Sequence, residues 1–109
     1  MSSNIKKEYI SDQTQRTLRI VKVLAGHEKN GLSPGEMAEK ADISRTNITR
    51  IIANLQLFQW VEPVPGNSKR FRLAPGIVHI ANTVAINLRE SQLQLSQDLH
   101  NYNGIATTL

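Results

Sequence analysis

Two helix start signals lie close together near the middle of this 109-residue chain. Residues 33–36 read SPGE, a capping box with proline at the first helical position, where its missing N–H costs nothing. Ser44 is a second N-cap, and isoleucine and leucine follow it at helical spacing. This pattern predicts a short helix, a turn at Asp42 and Ile43, and a second helix from Arg45 to about Leu57.

The later of these two helices has two chemically different faces. Its apolar stripe, expected to be buried, consists of Ile48, Ile51, Ile52 and Leu55. Hydroxyl, amide and guanidinium groups occupy the N-terminal and outer positions instead, and an α-helix fits the major groove of B-DNA with its first turn toward bases and phosphates. We therefore predict DNA contacts from Ser44, Arg45, Thr46, Asn47, Thr49 and Arg50.

Side-chain chemistry divides the roles of these residues. Asn47 can bond an adenine edge bidentately, and Arg45 or Arg50 can do the same with guanine. The serine and threonine hydroxyls suit phosphate contacts, which set register rather than sequence. The alternative is that this is an ordinary solvated helix face.

The segments on either side complete a winged helix-turn-helix pattern. Leu18, Val21 and Leu24 predict a first helix, capped by Asp12 or Thr14, with basic residues on its solvated side: Arg16, Arg19 and Lys22. After the helix pair, QWVEPV and KRFRLA alternate around turn residues 65–67 and predict a two-stranded hairpin, the wing. The predicted fold class is mainly α with a small β-hairpin, namely a winged helix-turn-helix plus a long C-terminal helix.

The predicted wing carries polar and basic side chains at its tip and along its second strand. We expect phosphate contacts from Asn67, Ser68, Lys69, Arg70 and Arg72. Strand alternation can turn one of the basic residues away from DNA. The alternative is that these charges only keep an exposed hairpin soluble and unpaired.

Apolar residues return to helical spacing after residue 76. A helix from about residue 77 to residue 100 would be roughly 36 Å long at 1.5 Å per residue. It can fold back on the first helix or pair with the same helix of another subunit, and its spacing and length favour a homodimer. The predicted dimerisation residues are Ile77, Ala81, Val84, Leu88 and Leu95. The expected organisation is a flexible arm (1–11), a DNA-binding domain (12–76), a linker or dimerisation helix (77–102) and a disordered tail (103–109).

The distribution of charge favours a polyanionic partner. The formal net charge is +4, and residues 1–76 hold 12 Lys/Arg against seven Asp/Glu, whereas the remainder holds one against two. A basic excess confined to the predicted domain suits double-stranded DNA. The short chain gives a marginal core, which a partner subunit would help to stabilise.

Other function classes lack their signals. The chain has no cysteine, and its three histidines lie far apart without ligand spacing, so we expect no metal and no other cofactor. Because we find neither a nucleophile elbow nor a phosphate-binding glycine loop, we expect no enzyme. Since no secretory signal or bilayer-length apolar run is visible, we expect no membrane partner and a cytoplasmic protein, nucleoid-associated when bound to DNA.

Residues 14–85 resemble the DNA-binding domain of the IclR family of bacterial transcriptional regulators. TLRIVKVLAG looks like that family's first helix, and Leu32-Ser33, Ser44, Arg50-Ile51 and Leu73 with Gly76 are similar to its later landmarks. The resemblance implies DNA contacts from the residues already named on the third helix, with Arg50 matching the family's usual arginine. It also implies a sequence-specific regulator, and we expect a dimeric repressor of transcription.

Two departures from the family qualify this resemblance. Gln59 stands where the family has glycine, so it must adopt a positive φ or the turn must differ. The family's effector-binding domain is absent, so no small-molecule effector site is expected, and the chain is an excised domain or, as the initial methionine favours, a short stand-alone regulator. The alternative function is a protein-interaction adaptor on the same scaffold, without specific DNA binding.

Overall fold

The computed structural model describes residues 4–108 and has the predicted architecture. A short 3-10 helix over Lys7–Tyr9 precedes the main elements, which are α1 (Asp12–Leu24), α2 (Pro34–Ala41), α3 (Arg45–Leu57), β1 (Val61–Val64), β2 (Asn67–Leu73) and α4 (Pro75–Thr108). The chain divides into two compact units, one ending at Ile77 and one beginning at Val78. Residues 1–3 of the expected arm and residue 109 of the expected tail lie outside the described residues.

Both predicted start signals cap helices. The Ser33 Oγ accepts from the Glu36 N–H at 3.2 Å, and the Glu36 Oε1 accepts from the Ser33 N–H at 3.0 Å, which completes the capping box of α2. The Ser44 Oγ accepts from the Asn47 N–H at 3.3 Å and starts α3. The predicted cap of α1 was wrong, because Ser11 has the extended backbone of a cap and accepts from Thr14, whereas Asp12 is already helical.

The core of the first unit forms where α1, α2 and α3 meet. The predicted stripe of α3 is confirmed, since Ile48, Ile51, Ile52 and Leu55 are all buried. In α1 the buried residues are Ile20 and Leu24, whereas Leu18, which we expected to face inward, is 46% exposed. At about 100° per residue, Leu18 lies almost opposite Ile20 on the helix, so the two cannot share a buried face.

The turn between α2 and α3 is held by backbone and by a distant arginine. Asp42 adopts the left-handed conformation with φ 55°, which aspartate tolerates better than most residues, and Ile43 donates to the Ala38 carbonyl at 3.0 Å. The Arg19 Nη1 donates to the Ala41 carbonyl at 3.1 Å. Arg19, expected on a solvated face, therefore braces this turn.

The wing is a two-stranded antiparallel sheet that a third segment extends. Val61 pairs with Leu73, and Glu62 pairs with Arg72, with an irregularity between Pro63 and Val64 near the turn. Asn67, expected in the turn, already belongs to β2. Leu32, just before α2, exchanges two backbone hydrogen bonds of 2.9 Å with Phe71, so the wing is tied to the helix-turn-helix.

Gln59 adopts the positive φ that its departure from glycine implied. Its φ is 64°, and the next residue, Trp60, donates to the Leu55 carbonyl at 2.9 Å. A Cβ at Gly76 would clash with the Gln59 carbonyl oxygen, so this approach of two backbones requires glycine at residue 76.

The last helix is longer than the sequence indicated. It begins at Pro75, two residues before the expected start, and its helical backbone continues to Thr108. Residues 103–108, expected as a disordered tail, are therefore helical. No proline interrupts them, and Gly104 lowers helix propensity by only about 1 kcal/mol without ending the helix. No helix among residues 4–108 combines the length and apolarity needed to cross a bilayer.

Candidate nucleic-acid interface

The structure separates the two faces of α3 as predicted. The isoleucine stripe is buried, while the side chains of Ser44, Arg45, Thr46, Thr49 and Arg50 are exposed and that of Asn47 is half-buried. Some hydrogen-bonding capacity is used locally, because Thr49 Oγ1 donates to the Arg45 carbonyl at 3.1 Å and Asn54 Nδ2 donates to the Arg50 carbonyl at 2.8 Å. The two guanidinium groups remain on the exposed side of the helix.

The tip of the wing is exposed and polar. Asn67, Ser68 and Lys69 are all exposed, and the Asn67 Oδ1 accepts from the Lys69 backbone N–H at 3.2 Å. This hydrogen bond shapes the start of β2 and leaves the Lys69 ammonium on the surface. These three residues stay in the proposed DNA-facing set.

Arg70, which the sequence assigned to the DNA-facing set, is engaged within the protein. Its Nε donates to the Asn30 carbonyl at 2.9 Å, and its Nη2 donates to the Gly31 carbonyl at 3.1 Å. Its Nη1 lies 2.9 Å from the Glu36 Oε1 on α2. Because every nitrogen of the guanidinium has a partner within the protein, we reassign Arg70 as a brace between the wing and the helix-turn-helix.

Arg72 is also engaged within the protein. Its Nε and Nη2 lie 2.8 and 2.7 Å from the Glu62 Oε2, and its Nη1 donates to the Glu28 carbonyl at 3.4 Å. Glu62 and Arg72 are direct cross-strand partners, an arrangement that stabilises a hairpin. We therefore also remove Arg72 from the DNA-facing set. The opposite charges at paired hairpin positions were the sequence signal for this contact.

Glu36 is held as a carboxylate by its neighbours. The Ser33 backbone N–H is the main cause that lowers the pKa of the Glu36 carboxyl, and the Ser33 hydroxyl and the positive charge of Arg70 lower it further. Glu36 thus joins the capping box of α2 to the Arg70 brace. The capping box is visible in the sequence, whereas the contact between Glu36 and the wing has no local signal in it.

The described part of the chain offers little for metal chemistry. No group of three histidine, cysteine, aspartate or glutamate side chains in it is arranged to hold a metal ion. The expectations that the protein has no cofactor, no effector site and no catalytic activity remain predictions.

Three helices, a three-residue turn between the second and third, and a hairpin beside the third define a winged helix-turn-helix. Solved IclR transcriptional regulators share this fold. The one from Alicyclobacillus acidocaldarius superposes with a TM-score of 0.62 at 23% identity, covering 71% of this chain and 30% of that chain. The one from Brucella abortus gives 0.61 at 16% identity, covering 75% and 31%.

A third solved structure, a putative IclR regulator from a Silicibacter species, gives a TM-score of 0.57 at 19% identity, covering 72% of this chain and 28% of that chain. The chain therefore spans less than a third of the length of each of these proteins. No family model matches the chain, and no curated protein matches it in sequence. The similarities confirm the IclR-type winged-helix fold that the sequence predicted.

Proposed function

We propose that this protein binds double-stranded DNA sequence-specifically and regulates transcription. The observation that carries the proposal is the exposed cationic and polar face of α3, which lies over a fully buried isoleucine stripe. A helix anchored in this way can enter the major groove while its back stays in the core. The solved regulators with the same fold support this function.

The proposed roles follow from exposure and side-chain chemistry. Arg50 and Asn47 read base edges in the major groove. The hydroxyls of Ser44, Thr46 and Thr49 set the register against phosphates. Lys69, with Asn67 and Ser68, lies along the neighbouring backbone, where the wing contacts DNA.

The second unit supports a homodimer as part of this proposal. Val84, Leu88 and Leu95 are 55%, 64% and 60% exposed, and Ala81 is also exposed, while Ile77 at the end of the first unit is half-buried. An uncovered apolar row of this length is costly in water, and a second copy of α4 would bury it. Two α3 helices about 34 Å apart would then meet successive major grooves of a palindromic site. Occupation of such a site in the cytoplasm would repress transcription.

The adaptor alternative also has an observation in its favour. Leu57 and Phe58, at the C-terminal end of α3, are 85% and 68% exposed. A pair of large apolar side chains in water can mark a protein-binding surface. An adaptor that uses this pair would lose its partner in Leu57→Ser with Phe58→Ser and would show no sequence preference on DNA.

Selection of bound sites from a random duplex library tests the proposed function. A regulator of this kind enriches one motif with two symmetric half-sites, whose spacing also reports the dimer. Retention of no duplex at physiological salt, or retention without any enriched motif, would contradict sequence-specific binding.

A further inference from the structure

Two of the exposed cations lie in the same surface cleft, although they belong to different elements. Arg45 begins α3 and Lys69 lies on β2, and together they line a cavity of about 370 Å³ whose other walls are Ser33, Pro34, Gly35 and Phe71. We call this cavity the Arg45–Lys69 cleft. It lies where the start of α3, the first turn of α2 and the wing meet.

Gly35 gives Arg45 room within the cleft. A Cβ at residue 35 would lie 3.2 Å from the Arg45 Nη1, a separation tighter than ordinary van der Waals contact. The guanidinium therefore lies close against the first turn of α2. A larger residue at this position would displace it.

No carboxylate neutralises the two cations within the described part of the chain. The two ion pairs among the described side chains are Arg70–Glu36 and Arg72–Glu62, and neither includes Arg45 or Lys69. Glu36, which also lies in the first turn of α2, accepts from Ser33 and is paired with Arg70. The Arg70 brace thus compensates the acidic group of α2 that could otherwise attract the cleft cations.

We propose that the Arg45–Lys69 cleft is a phosphate site that holds one backbone phosphate of the DNA. The inference rests on the proposed function and deepens it. Two cations from different elements would bind the same phosphate. Both α3 and the wing would then be fixed to one point on one strand of the DNA. Arg and Lys are both established phosphate-binding side chains.

This assignment separates the two arginines of α3. Arg45 contacts phosphate and carries no sequence information, whereas Arg50 reads a base edge. Substitution of a phosphate contact weakens binding uniformly across sequences, and substitution of a base contact relaxes specificity at one position. Arg45→Ala therefore reduces affinity for the selected site and for a duplex of mixed sequence by the same factor.

The salt dependence of binding tests the shared phosphate. For a duplex of mixed sequence, the slope of log K against log salt falls by about 0.9 for each phosphate no longer neutralised. In the variant with both Arg45→Ala and Lys69→Ala, this slope is expected to be lower than in the wild type by about 0.9. Contacts to two separate phosphates would lower it by about 1.8. The control is Arg89→Ala on α4, which removes one exposed charge from the second unit and leaves the slope unchanged. Circular dichroism confirms that each variant is folded.

A loss near 1.8, or no loss, in the double variant overturns the shared site while leaving DNA binding intact. If the wild-type protein binds no duplex, the proposed function fails. Binding of inorganic phosphate then tests the Arg45–Lys69 cleft separately. Phosphate is then expected to shift the NMR resonances of Arg45 and Lys69 in the wild type. When either residue is replaced by alanine, the resonances of the other are expected to stay unshifted. Absence of those shifts overturns the site.

Discussion

The guanidinium of Arg70 on β2 lies 2.9 Å from the carboxylate of Glu36 on α2, and the same guanidinium donates to the carbonyls of Asn30 and Gly31. The wing is thereby fixed to the start of the helix-turn-helix. This placement makes Arg70 a positioning residue, and it leaves Lys69 as the basic residue of the hairpin that we propose to contact DNA.

Substitutions of Arg70 and Glu36 are expected to act through the same contact. Glu36→Gln keeps an acceptor for the Ser33 N–H, since glutamine also completes a capping box, but it removes the charge opposite Arg70. Arg70→Ala is expected to lower the free energy of unfolding by about 1 kcal/mol through its lost hydrogen bonds. Both single variants should weaken DNA binding, and the double variant should be no weaker than Arg70→Ala. If Arg70 itself contacted a phosphate, Glu36→Gln would free it and strengthen binding.

The pH dependence of stability should include a contribution from Glu36. Its folded pKa lies below its ordinary value of 4.5, so the carboxylate stabilises the folded state above that value, and the contribution is lost as the pH falls through the folded pKa. Urea unfolding of wild type and Glu36→Gln should therefore converge below pH 4.5. A difference between them that stays constant into acid would contradict this assignment.

The close approach of Gly76 and Gln59 predicts opposite outcomes for one substitution at two places in α4. Gly76→Ala places a methyl group against the Gln59 carbonyl and should destabilise the fold, whereas a Cβ at Gly104 meets no atom within 4 Å. Alanine at residue 104 should be neutral or stabilise by up to about 1 kcal/mol. Thermal unfolding compares the two variants, and equal effects would show that the close approach of residue 76 to Gln59 does not require glycine.

The proposed dimer depends on the apolar row of α4. Leu88→Glu introduces a charge into that row and should raise the dimer dissociation constant at least about tenfold, since burying an unpaired charge costs more than 1.4 kcal/mol. Gln97→Glu, at an exposed position on the opposite side of the same helix, adds the same charge without removing an apolar contact. Sedimentation velocity distinguishes monomer from dimer. A wild-type monomer, or a Leu88→Glu dimer as tight as wild type, would contradict this interface.

The sequence predicted elements whose signals are local. Ser33 and Ser44 act within one helical turn of themselves, and the isoleucine stripe of α3 repeats at the helical period, so both helices and the buried face followed from nearby residues. The positive φ of Gln59 followed from the resemblance, because its position is one where the IclR family has glycine.

Two of the differences from the sequence predictions arise from contacts between distant residues. Arg70 and Glu36 are far apart in the chain, and the bridge between Leu32 and Phe71 helps to bring their elements together. In α1 several apolar phases were compatible with one helix, and packing against α2 and α3 selected Ile20 over Leu18. The end of α4 had no capping residue or proline to mark it, so its length could not be read from the chain.

We propose that α3 reads DNA, and titration of the selected duplex with wild type and Arg50→Ala is the sharpest test of this role. A lost bidentate base contact costs about 1–3 kcal/mol, so the variant should bind the selected site at least about tenfold more weakly and lose less on a mixed-sequence duplex, with unchanged helical circular dichroism. Equal affinity of the two proteins for the selected site would contradict the account.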